Sequence, residues 1–181
     1  MKSVNVSGKA YGFLCMTPIK PGAESELRTY LEGLGHPGPL AKVPRTHMAR
    51  WVIVEKFCCK PSYKQRKPET LAIPSLVFSS NFDGVLDSYL DELCESMAPE
   101  AAAIWGHCIG CPAKPRGAAL KAYLKHNQIH CGFFYAAYGT ATVSEVNASL
   151  NQRDRLIAFA TRGQGMAPSD LQHAFVKEFV S

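Results

Sequence analysis

The stretch Ser79-Ser80-Asn81-Phe82-Asp83-Gly84 carries the residue types in this chain that most readily do chemistry. An amide, a carboxylate and a flexible glycine follow the apolar run Ser75 to Ser80, where a strand hands over to a helix. Side chains at such a junction can point into a cavity from a rigid base. A plainer duty is open to the same residues: Asp83 as N-cap of the next helix, Gly84 easing the turn, Asn81 ending the strand. Upstream, His47 and Arg50 open a second apolar run. Strand alternation puts these two on opposite faces unless the strand is bulged. Arg50 shares its face with Met48, Val52 and Val54, and a guanidinium buried among such neighbours needs an anion. Asp83 could supply it, as could a bound carboxylate or phosphate.

A second informative stretch is Trp105-Gly106-His107-Cys108-Ile109-Gly110-Cys111-Pro112. Cys108, Cys111 and His107 make a partial zinc site, because soft thiolates and imidazole suit that ion. No second ligand pair stands at recognisable spacing, and Cys58-Cys59 could contribute only if the fold brings it near. A redox role would need the pair to open a helix after a strand, which it does not do here. Cysteines of this kind also serve simply as small buried residues. His107 sits in a glycine-rich loop rather than on a core face, which makes it the histidine to test first. His126, His130 and His173 are further imidazoles, and nothing in their spacing chooses among them.

The elements that must position these groups follow from hydrophobic patterning. Ala10 to Ile19 and His47 to Phe57 read as strands, rich in β-branched and aromatic residues, as does Ser75 to Ser80. Between the first two, Leu27, Tyr30, Leu31 and Leu34 share a helical stripe that Gly33 and Gly35 can end. Cys58 to Thr70 reads as a basic, exposed hairpin connection. Leu86, Tyr89, Leu90, Leu93, Cys94 and Met97 form the cleanest helical stripe, with Asp83 expected as its cap. After an irregular insertion and a short helix around Leu120, Tyr123 and Leu124, Cys131 to Tyr138 reads as a fourth strand. Thr142 and Glu145 then fit a capping box, and a last helix starts near Ser169.

This order predicts one α+β domain over residues 1–181. It is a ferredoxin-like βαββαβ antiparallel sheet with an insertion before the last strand and extra C-terminal helices. The strands are apolar at nearly every position, so both sheet faces are expected to be covered, one of them by a second subunit. An apolar fraction of 46% and a charged fraction of 19% exclude a disordered chain. No apolar run is long enough for a bilayer, and Met1 to Lys9 lacks the apolar core of a secretory signal. A cytoplasmic location and reduced thiols are therefore expected, the seven cysteines being an odd number. The basic loop that includes Lys60 and Lys67 reads as a solvated loop rather than a nucleic-acid surface, since the third strand lacks the aromatic RNA-binding signature.

Element order across most of the chain resembles the dimeric α+β-barrel superfamily. Ser80-Asn81-Phe82-Asp83-Gly84 is similar to the Gly-x-x-Asp-Gly motif of one branch, the dye-decolourising peroxidases, with Ser80 in place of the leading glycine. That likeness implies a haem cofactor with Asp83 as distal acid, and a haem propionate would then be a further anion that Arg50 could meet. Cys111-Pro112 also resembles the short haem-binding Cys-Pro motif, and any of the four histidines could then be the axial ligand. The resemblance implies a homodimeric enzyme acting on an apolar small molecule, in a haem-dependent or a cofactor-free (cyclase or monooxygenase) version. Its cavity is expected between sheet and helices. Arg50 would hold an anionic or carbonyl group, Asp83 or His107 would move a proton, and Asn81 would orient the substrate. Two rivals are a haem or ligand carrier without catalysis, and an interaction protein stabilised by zinc on Cys108, Cys111 and His107.

Overall fold

A computed structural model describes residues 8–57, 69–137 and 141–180. The chain divides into two compact units, Met1–Val143 and Ser144–Ser181. In the first unit β1 (Gly8–Pro18), β2 (Thr46–Phe57) and β3 (Glu69–Gly84) form an antiparallel sheet in the order β1-β3-β2. Helices α1 (Glu24–Glu32), α2 (Leu86–Ser96), α3 (Ala98–Trp105) and α4 (Gly117–His126) also belong to it. The protein is thus α+β. Helices α5 (Val143–Arg162) and α6 (Pro168–Phe179) follow, and within the second unit Phe159, Phe175 and Phe179 form an aromatic cluster. No helix among the described residues is long and apolar enough to cross a membrane.

Although β1 is apolar almost throughout, its burial alternates. Tyr11, Phe13, Cys15 and Thr17 are buried, and so are Leu76, Phe78, Ser80 and Phe82 of β3. These residues point to one side, where α2 contributes Tyr89, Leu90, Leu93 and Cys94 and α3 contributes Ile104 and Trp105, all fully buried. Phe78 lies against Trp51 at 5.3 Å and meets Trp105 edge-on at 5.5 Å. Phe82 stacks on Tyr89 at 3.7 Å, and the Tyr89 hydroxyl is bonded to those of Ser80 and Thr46. The other sheet face stays open: Met48 is 68% and Val52 42% exposed. Apolarity at alternate positions therefore reflects one packed face and one apolar but uncovered face.

Three expectations need correction. Cys131 to Ala137 is not a strand. The chain does begin to pair with the outer edge of β1, where Ile129 N donates to Leu14 O and Gln128 bridges Cys15. That edge is the place a ferredoxin-like order assigns to a fourth strand. Beyond it the Cys131 thiol donates to Phe133 O at 2.7 Å, closing a local turn, and Phe133 and Tyr135 are each 76% exposed. Phe134 leans over Gly12, so close that a Cβ there would meet its ring at 2.7 Å. High β-propensity was outweighed here: Phe134 lies against the sheet rather than in it, while Phe133 and Tyr135 face solvent. Secondly, β3 runs from Glu69 to Gly84, longer than Ser75 to Ser80 at both ends, so Asn81 and Asp83 lie within the strand; Gly84 ends it at φ +85°, two residues before α2. Thirdly, Val85 holds the N-cap position of α2, so Asp83 does not cap that helix. Of the expected connection from Cys58 to Thr70, residues 58–68 lie outside the described residues, and Glu69 and Thr70 belong to β3.

Candidate active site

The register of β2 against β3 slips at two points, between Val54 and Lys56 and, nearer the candidate site, between Thr46 and Met48. Thr46 pairs with Phe82 and Met48 with Asn81, so His47 is the extra residue of a β-bulge. A bulge re-aims side chains that strict alternation would send elsewhere. Met48 and Arg50 keep to the open face with Asn81 and Ser79, their respective cross-strand partners. Asp83 follows Asn81 by two and belongs to the same side of β3. His47, displaced by the bulge, reaches it: Nε2 and Asp83 Oδ1 are 2.6 Å apart, and the imidazole retains 23% exposure. The second carboxylate oxygen, Oδ2, accepts the backbone N–H of Val143 at 2.7 Å. Asp83 is buried, and its own N–H donates to Arg45 O. Ion pairing of Arg45 with Glu92 at 2.7 Å braces the same corner.

Above this row lies a cavity of about 300 Å³, lined by His47, Met48 and Asn81 from the sheet and by Phe134, Tyr135 and Ala137 from the segment that fails to become a strand. Its walls are mainly apolar, with one imidazole and one amide exposed to it. Ligand cavities commonly have that composition. Arg50, Asn81 and Asp83, all expected as site residues, thus share one face. The bulge adds His47, which alternation alone had set apart from Arg50.

His107 is placed elsewhere. Its Nδ1 bonds to Ala103 O at 2.7 Å and its Nε2 lies 3.5 Å from Glu26, on the helical layer across the sheet. The cysteines expected beside it are free thiols. Cys108 is buried and accepts a hydrogen bond from Thr17 Oγ1, and Cys111 is half-buried. Among the described residues no group of three or more His, Cys, Asp or Glu side chains could hold a metal ion. With its ring committed to Ala103 and Glu26, His107 does not complete a zinc site with the two thiols.

Burial pushes the Cys108 thiol up to about 11, and Cys15 and Cys94 up to about 12. A raised thiol stays protonated below that value, and only the thiolate attacks. At pH 8 iodoacetamide should therefore leave Cys15, Cys94 and Cys108 unmodified in the folded protein and label them in urea, as read by peptide mass spectrometry. Fast native labelling of Cys108 would reveal a thiolate and revive a redox role for Cys108 and Cys111.

No protein-family model matches the chain, and neither a curated protein nor a solved structure matches it.

Proposed function

We propose that this chain is a small enzyme of the α+β-barrel type that moves a proton on an apolar small molecule lying over the open sheet face. The observation that carries this reading is the 2.6 Å contact of His47 Nε2 with buried Asp83, at the edge of an apolar cavity. A carboxylate can only accept, so Nε2 carries a hydrogen and Nδ1 is left with the lone pair that can take a proton. The imidazolium formed on proton uptake is stabilised by the carboxylate beside it. Asn81 offers an amide donor to an oxygen on which negative charge develops. An apolar substrate seated over the pair would displace water and so strengthen both effects. Proton abstraction next to a carbonyl, as in an isomerisation or a cyclisation, is the reaction class these groups serve.

The cofactor-free version is favoured over the haem-dependent one by what Asp83 already does. Both of its oxygens are engaged, one by His47 and one by the Val143 N–H, which does not suit a distal acid facing peroxide. In this reading the partner is a second copy of the chain, whose sheet covers what residues 134–137 leave bare around Met48 and Val52. Light scattering should give twice the monomer mass, and a monomeric mass would remove that part of the proposal.

The chemistry can be tested without knowing the substrate. A small-molecule extract incubated with the protein in D₂O should show protein-dependent deuterium incorporation into at least one apolar metabolite. His47→Gln should slow that incorporation by roughly 10²–10⁴-fold, the range of general acid–base catalysis. No incorporation, with a metabolite nevertheless retained, would point to a carrier. A sharp Soret band at one added haem per chain would replace this reading with the haem-dependent one.

A further inference from the structure

Arg50, like Arg116 and Arg155, pairs with no carboxylate among the described residues. Arg28, Arg45, Arg153 and Arg162 each pair with a carboxylate at 2.6–2.8 Å. Arg50 has no ion-pair partner among the described residues, yet it sits mid-strand on the open face, with Met48 and Val52 two residues to either side. Such a cation, flanked by apolar side chains, is suited to an anion that arrives from outside.

Where that anion would lie follows from a second hollow of about 480 Å³, lined by Met48, Ala49, Arg50, Ser79 and Asn81. It shares Met48 and Asn81 with the apolar cavity, so the two hollows adjoin along this face as a trough. One end presents a guanidinium, a hydroxyl and an amide. The other presents the His47 imidazole and the wall formed by Phe134 to Ala137. Arg50 and Met48 are two residues apart on one strand, which separates their rows by about 7 Å.

We propose that the trough takes a small monocarboxylate with an apolar body. The carboxylate sits on Arg50 and Ser79, and the body lies beneath Phe134 with its reacting atom against His47. A monoanion matches the single cation among the described lining residues, whereas a phosphate dianion would remain half-neutralised between apolar walls. The 7 Å row spacing suits a body the size of one or two fused rings. This assignment rests on the proposed enzyme reading and names its substrate class.

The test is titration calorimetry with 2-naphthoate and its neutral twin 2-naphthamide. Wild type should bind the acid at least tenfold more tightly than the amide. Arg50→Gln should weaken acid binding at least tenfold and so abolish the preference, and His47→Gln should keep it. Arg50 is exposed in the single chain and forms no ion pair among the described residues, so its replacement should leave the thermal midpoint in place. Equal binding of acid and amide by wild type, or a preference that survives Arg50→Gln, overturns the carboxylate assignment alone. Binding of neither probe overturns the trough as a ligand site and this proposal with it. Deuterium incorporation that depends on His47 would still stand on its own.

Discussion

Trp105→Ala should lower the unfolding free energy by about 3–5 kcal/mol, the usual cost of emptying a buried indole. Trp105 ends α3, is fully buried, and meets Phe78 edge-on at 5.5 Å and Trp51 at 6.3 Å. Phe78 in turn lies on Trp51, so one ring cluster joins β2, β3 and α3. Removing the central indole leaves a cavity that neighbours fixed to three elements cannot collapse to fill. Domains of this kind have about 5–15 kcal/mol in total, so the loss would be a large fraction of the whole. The Trp105 indole N–H is buried without a hydrogen-bond partner among the described residues. Trp105→Phe removes that orphan donor while keeping a ring, so it should cost only about 1–2 kcal/mol. Urea unfolding of the two variants checks the order. A loss below 1 kcal/mol for the alanine variant would mean that this cluster does not hold the sheet to α3.

Helix α2 was readable in advance because Tyr89, Leu90, Leu93, Cys94 and Met97 repeat at helical spacing, and all five are fully buried. Patterning also placed β1, β2, α1 and α4 within a few residues. It failed where an apolar run owed its composition to something other than a ladder. Cys131 to Tyr138 is rich in aromatics, and the part of it seen here forms a cavity wall rather than a strand. No local signal separates those two uses of phenylalanine and tyrosine. The first strand misled in a related way: apolar residues on both sides suggested two buried faces, while only the odd positions from Tyr11 to Thr17 pack inward.

The candidate site was legible in its parts and not in its assembly. Arg50, Asn81 and Asp83 could be named because charge and amide groups interrupt apolar strands at the cost of desolvation. Their common face follows from cross-strand register, which one strand's sequence does not contain. His47 joins them through a single-residue slip between Thr46 and Met48, and alternation counts straight past such a slip. Similarly, no spacing rule links Asp83 to the N–H of Val143, sixty residues on. His107 drew attention through its glycine-rich surroundings, but those glycines serve the end of α3. A Cβ on Gly106 would stand 2.3 Å from Ala102 O, so glycine is required there for packing and not for chemistry.

Asp83 has two duties, and substitution should separate them. Asp83→Ala removes both the His47 contact and the acceptor for Val143 N–H. Loss of two hydrogen bonds at a buried carboxylate should cost about 2–4 kcal/mol. Asp83→Asn keeps one carbonyl oxygen that can still accept from Val143, so its cost should stay near 1 kcal/mol. Its amide end, however, donates to His47 and imposes the opposite tautomer, placing the hydrogen on Nδ1 where the lone pair is needed. Deuterium incorporation should then fall by roughly 10²-fold or more, although the fold is nearly intact. A thermodynamic cycle with His47→Gln should return a coupling of about 1–3 kcal/mol between the two side chains. If Asp83→Asn keeps full incorporation, the carboxylate does not set the imidazole's protonation and proton transfer by this pair is excluded. If coupling is strong and wild type shows no incorporation, the pair is a clamp between β2 and β3. A drop in incorporation without a matching loss of stability is the one result that a purely structural clamp cannot produce.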